Sequence, residues 1–182
     1  PWSGAEPAPN GAMAKLAAHG DHAVWFPDAV AVAPLTAVSV PSTLSGLAPD
    51  APADDYARAP LVWHEAKARG YRTAFFSAQD FQIDFFEGFY LADGGPDEVK
   101  SAPDHPGERR VNDRGIDDAR AIDDAIAFLE RAPRDRPVLM VVQMNATHWP
   151  CWTPAVDGDA KLTIPERCAR AVRYVDEEVG RL

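Results

Sequence analysis

The sequence predicts an α/β domain in which a mostly parallel sheet is flanked by helices, and two observations carry that prediction. Helix-like and strand-like segments alternate along the chain, the pattern of a parallel sheet with helical crossovers. One segment, Pro137–Met144, is apolar almost throughout, as expected of a strand covered on both faces. No internal repeat and no composition break divides residues 1–182, so they are expected to form one domain.

The elements follow from local signals. Asn10 suits the cap of a helix through Leu16 that Gly20 ends, and His22–Phe26 then reads as a strand. Thr36 to Ser45 reads as a short helix stopped by Gly46, and residues 48–60, rich in Pro, Ala and Asp, read as a loop. Pro60 opens a helix over Leu61–Arg69 closed by Gly70, and Arg72–Ser77 follows as a strand. Residues 78–114 read as an excursion over the surface or over a site. Ile116–Arg131 is a helix with Ala119, Ile122, Ile126 and Leu129 on its expected inner face. The last helix spans Ile164 to Leu182, with Ile164, Cys168, Val172, Val175, Val179 and Leu182 at helical spacing.

Composition excludes several classes. A net charge of −10 opposes non-specific nucleic-acid binding, which needs clustered cations against phosphates. No apolar run is long enough to span a bilayer. The start at Pro1 shows neither an initiator Met nor a signal peptide and reads as a fragment or processed form, so membrane anchoring would reside in segments absent here. Cys151 and Cys168 read as unpaired core thiols, with a disulfide in an oxidising compartment as the alternative. Zinc-finger and zincin spacings are absent.

Two places carry chemistry-bearing residues. Thr36 and Ser39 stand where a loop enters a helix, among unpaired backbone N–H groups that favour phosphate or sulfate. The plain role there is capping; the chemical role makes one hydroxyl a nucleophile, activated by a base or a metal. No GxSxG elbow surrounds either residue. His148, just past an apolar strand and before Trp149-Pro150, stands where ligands gather in parallel sheets and is placed to bind an oxyanion or protonate a leaving group. His19, His22, His64 and His105 read as surface or packing residues. The pairs Asp117-Asp118, Asp123-Asp124 and Glu177-Glu178 read as solvated helix faces, because neighbours on a helix point in different directions. Trp149, Trp152 and Phe85-Phe86 suit either a substrate groove or packing.

Three blocks together resemble the sulfatase and alkaline-phosphatase superfamily. Pro9-Asn10, Lys15–Gly20 and Trp25–Ala29 are similar to the family's approach to its nucleophile, T-P-N, L-A-x-x-G, F-x-N-A. Thr36 to Gly46 resembles the signature C/S-x-P-S-R-x-x-L-x-T-G, with Thr36 at the nucleophile, Ser39 at the serine and Ser45-Gly46 at the closing Thr-Gly. Pro137 to Pro150 is similar to the strand that ends in T-H-x-P-Y, which puts His148 on the substrate-binding histidine. Gly70–Thr73 and Tyr174-Val175-Asp176 with Gly180 also match.

The departures narrow the resemblance. Thr36 cannot become formylglycine, Val40 replaces the signature Arg, and Ser77-Ala78-Gln79-Asp80 stands where arylsulfatases carry Gly-Lys-Trp-His. The threonine resembles the phosphoethanolamine and phosphoglycerol transferase branch, which includes lipoteichoic acid synthases. That resemblance implies an alkaline-phosphatase-like fold, here incomplete, the central part of one catalytic domain. It implies a divalent metal ion (zinc, calcium or manganese) with Thr36 as one ligand and the others outside this chain. Thr36 would attack a phosphate ester, and Ser39 and His148 would bind the substrate, a small-molecule, lipid or glycan ester. An extracytoplasmic location, periplasmic or at the cell surface, is implied, with a cytoplasmic one as the alternative. The alternative activities are sulfuric ester hydrolysis and a metal-free binding module of the same fold.

Overall fold

Three parallel strands, β1 (Arg72–Ser77), β2 (Glu98–Lys100) and β3 (Val138–Gln143), form a sheet in the order β2-β1-β3. They come from a computed structural model that describes residues 10–19, 29–82, 86–91, 94–156 and 161–182. Seven α-helices are assigned among these residues: α1 (Ala12–Ala18), α2 (Thr36–Ser45), α3 (Ala53–Tyr56), α4 (Val62–Ala68), α5 (Phe86–Tyr90), α6 (Asp118–Arg131) and α7 (Ile164–Val179). The expected strand His22–Phe26 and the helix stop at Gly20 lie outside the described residues.

The alternation of β1 side chains sets the layers. Ala74 and Phe76 face α6, packing with Ala121, Ala125 and Phe128. Phe75 faces the other way, into a cluster with Trp63 of α4, Leu44 of α2, Phe81 and Tyr90. Leu139 and Val141 of β3 join the second cluster, while Val138, Met140 and Val142 join the first. α7 packs on α6, and α1 packs on α7.

Six expectations need correction. β3 has helices on both sides, yet each of its residues is only partly buried, because it is the edge strand of the described sheet. The inner face of α6 is Asp118, Ala121, Ile122, Ala125 and Phe128; Ile122 alone was shared with the expected face, and Leu129 is exposed. The apolar side chains of this helix leave two candidate stripes one position apart, and Phe128 decides between them by packing edge-on against Phe76 at 5.7 Å. The excursion 78–114 contains α5 and β2. β2 is short and half polar, so it escapes a hydrophobicity reading; it is held by Asp97, whose carboxylate accepts the Thr73 N–H at 2.9 Å and pairs with Lys67. Finally, α1 is preceded by Gly11 rather than capped by Asn10, α3 interrupts the loop 48–60, and α7 ends at Val179.

Candidate functional site

Because the strands are parallel, Ser77, Lys100 and Gln143 end at one edge of the sheet. Side chains seal that edge. Ser77 Oγ donates to Gln143 Oε1 at 3.1 Å, Gln143 Nε2 donates to Gln79 Oε1 at 3.1 Å, and the Gln79 N–H donates to Ser77 Oγ at 2.9 Å. The arm 105–115 crosses the same edge, where Gly115 passes so close that a Cβ would stand 2.0 Å from the Ala78 carbonyl oxygen. Lys100 and His105 both pair with Asp124, at 2.7 and 2.8 Å.

Thr36 is the first residue of α2, and the helix stops at Gly46 in the left-handed conformation, φ 75°. The residue in the capping position is Leu35, whose carbonyl accepts the N–H groups of Val38 at 3.1 Å and Ser39 at 2.8 Å. Neither Thr36 nor Ser39 therefore caps the helix with its side chain, which corrects the plain reading of both residues. Thr36 is exposed and Ser39 half-buried. The other hydroxyls of the segment are taken up by hydrogen bonds: Thr43 Oγ1 donates to the Ser39 carbonyl and Ser45 Oγ to the Pro41 carbonyl, each at 2.7 Å, while Ser42 Oγ meets Tyr56 Oη at 2.6 Å.

His148 sits in a tight turn beyond β3. Its N–H donates to the Asn145 carbonyl at 2.9 Å, the Cys151 N–H donates to the His148 carbonyl at 2.8 Å, and the Trp152 N–H donates to the Ala146 carbonyl at 2.9 Å. Trp149–Pro150 is cis and Cys151 has φ 58°. The His148 Nδ1 lies 2.9 Å from the Trp149 carbonyl oxygen. A carbonyl can only accept, so Nδ1 is the donor in this contact. Trp149 itself is 71% exposed.

Two ties hold this turn to the helices. Cys151 and Cys168 form a disulfide, S–S 2.02 Å, which corrects the reading of unpaired thiols. On the other side the Asp118 carboxylate, 1% exposed, accepts the N–H groups of Asn145 and Ala146. The solvated-face reading of the acidic pairs therefore fails for Asp118 and also for Asp124, which is 4% exposed. Asp117 caps α6 through the Ala119 N–H and accepts the Tyr174 hydroxyl. Burial, together with the hydrogen bond to Asp117, raises the Tyr174 pKa.

Asp118 and Asn145 are the residues that sequence reasoning missed. Asn145 also pairs with the Asn112 side chain and donates to the Ile116 carbonyl at 3.2 Å. The available signal was the doubled aspartate at a helix start: one such residue caps, and the other is free to turn inward.

No hydrogen bond among the described residues joins Thr36 or Ser39 to His148. What they share lies beneath them, since Val40 of α2 and Leu139 and Val141 of β3 pack on one apolar cluster. Among the described residues no group of three or more His, Cys, Asp or Glu side chains is placed to hold a metal ion. The side chains described here do not by themselves fit a metal centre, and no chemical step is derived through one. His64 accepts the Leu61 N–H through Nδ1 and His105 pairs with Asp124, both packing roles as expected. His22 and Phe85 lie outside the described residues.

The family model named Sulfatase matches residues 3–182. No curated protein matches the chain. Among solved structures, a protein of the alkaline phosphatase superfamily from Vibrio parahaemolyticus superposes with TM-score 0.53 at 21% identity, over 67% of this chain and 30% of that one. The lipoteichoic acid synthase LtaP from Listeria monocytogenes superposes with TM-score 0.55 at 22% identity, over 68% of this chain and 31% of that one. At these identities the likeness shows the fold, which is alkaline-phosphatase-like, and this chain spans less than a third of the length of either structure.

Proposed function

The chain belongs to the sulfatase family, and from that membership we propose that it carries the nucleophile segment of an enzyme that transfers or cleaves a phosphate ester group, with Thr36 as the nucleophile. The observation that carries this reading is the setting of Thr36. It opens a ten-residue helix, is exposed, and leaves the capping position to Leu35, so its hydroxyl is not spent on the helix. The helix N-terminus beside it stabilises negative charge on a transferred group.

In this reading the Thr36 hydroxyl gives up its proton as its oxygen forms a bond to phosphorus. The bond from phosphorus to the donor alcohol breaks as that alcohol takes up a proton, and an acceptor alcohol or water then displaces Thr36. A proton on Nε2 lets His148 donate to the phosphoryl oxygens or to the leaving alcohol, with Nδ1 committed to the Trp149 carbonyl. Trp149 offers an exposed apolar face to the organic part of a lipid, glycan or small-molecule ester. Metal dependence is part of the proposal: the superfamily generally uses divalent ions, and ligands besides Thr36 would come from outside the described residues.

Support for phosphate over sulfate comes from the resemblance of the threonine motif to the transferase branch, and one structural neighbour is a lipoteichoic acid synthase. The disulfide favours an oxidising, extracytoplasmic compartment. No helix among the described residues is long and apolar enough to cross a membrane. The test compares the full-length protein with its Thr36→Ala variant on bis(4-nitrophenyl) phosphate and on 4-nitrophenyl sulfate. The reading expects diester turnover that the substitution abolishes. Unchanged turnover in the variant sinks the nucleophile assignment, and turnover of the sulfate alone favours sulfuric ester hydrolysis.

A further inference from the structure

A single peptide unit connects the buried Asp118 carboxylate to His148. Asp118 Oδ1 accepts the Asn145 N–H at 2.5 Å, and Oδ2 accepts the Ala146 N–H at 2.9 Å. The Ala146 N–H shares its peptide plane with the Asn145 carbonyl, and that carbonyl accepts the His148 N–H at 2.9 Å. The carbonyl of Ala146 accepts the Trp152 N–H at 2.9 Å, which closes the far side of the turn. We propose that Asp118 is the positioning residue of His148: its ionised carboxylate fixes the Asn145–Ala146 peptide, and that peptide fixes the turn that aims the imidazole. This inference rests on His148 acting on the substrate, as proposed above.

The residue type follows from the geometry. Two N–H groups from consecutive residues converge on one side chain, so that side chain needs two acceptor oxygens. A carboxylate has them, whereas a protonated acid or an amide puts a hydrogen where one N–H points. Grip on the turn is therefore coupled to ionisation. The groups facing Asp118 are Asp117 on its own helix, Glu178 and Tyr174 on α7, and the two amides beyond β3. Burial pushes its pKa up, the two amides pull it down, Asp117 and Glu178 push it up again, and it stands at about 6. The turn is held above that pH and slackens below it.

The experiment uses the full-length protein, amide NMR over pH 4.5–8, and the near-isosteric Asp118→Asn variant alone and combined with His148→Ala. The Asn145 and Ala146 amide protons are expected to shift together with a midpoint near pH 6, with the His148 amide following and the response lost in Asp118→Asn. Asp118→Asn is expected to lower kcat on bis(4-nitrophenyl) phosphate about 10–100-fold, the scale for losing a partner that orients a functional group. In the His148→Ala background it should cost nothing further, because the effect passes through His148. Amides that fail to titrate in the unmodified protein, or an equal loss in both backgrounds, overturn the inference. Failure of the functional reading is separate: the unmodified protein then leaves the diester intact, and the amide titration, which needs neither variant nor turnover, still decides.

Discussion

Cys151, in the turn just past His148, is covalently joined to Cys168 on α7. Cys151 is buried with Ala146 and Ala171, so the bond ties the turn to the helix behind it. Removing it frees a chain loop with a sequence separation of 17. The expected cost is about 2–4 kcal/mol of stability for the Cys151→Ser, Cys168→Ser double variant. Urea denaturation with and without reductant checks this: reductant should lower the midpoint of the unmodified protein and leave the variant unmoved.

Asp118 gives stability and turn geometry opposite pH preferences. Its pKa is about 6 when folded, above the ordinary aspartate value of 3.8, so the folded state holds the proton more tightly. Its contribution to stability is therefore full below about pH 4 and declines as pH rises through about 6. Asp118→Asn does not titrate, so relative to the unmodified protein it should gain stability between pH 4 and 7, by at most about 3 kcal/mol. Urea midpoints of both proteins at the two pH values measure this. A difference that stays constant with pH contradicts the account.

Much of the fold was legible in the sequence, and the exceptions have physical reasons. β1 was placed at its observed bounds because its apolar run Ala74-Phe75-Phe76 is flanked by Gly70 and by polar residues. Glycine stops and a proline start likewise placed α4 to within a residue at each end. β2 was missed because its stability comes from Asp97 clasping Thr73 across the sheet, a contact between residues distant in sequence. At the candidate site, motif order points to Thr36 and His148, whose roles are the proposal made above. For Asp118 the doubled aspartate at the helix start was the one signal, and it could not name the partners, which are backbone amides that carry no residue identity for a sequence to display.

The aromatic cluster on the α4 side supports the sheet beneath α2. Phe75 is 1% exposed and packs against Phe81 at 4.7 Å, Tyr90 at 4.9 Å and Trp63 at 5.8 Å. Phe75→Ala is expected to cost about 3–5 kcal/mol, the price of a large cavity in a rigid core. Thermal unfolding of the variant reports it, and a loss below about 1 kcal/mol would show that the cluster repacks freely.

His148 acts through Nε2 in this account. His148→Gln keeps a polar side chain but cannot take up and return a proton, so it should lower diester turnover about 100-fold or more, within the range for a positioned acid–base group. Folding should be little affected, because the imidazole's described bond is to the neighbouring Trp149 carbonyl. Circular dichroism and kcat measured on the same preparation separate the two effects.

The most direct measurement of the central claim is mass spectrometry of the full-length protein quenched during turnover of bis(4-nitrophenyl) phosphate. The account predicts a 4-nitrophenylphosphoryl group on the peptide containing Thr36, localised to that residue and absent from Thr36→Ala. An adduct on another residue, or a Thr36→Ala protein that turns over at the unmodified rate, would contradict it.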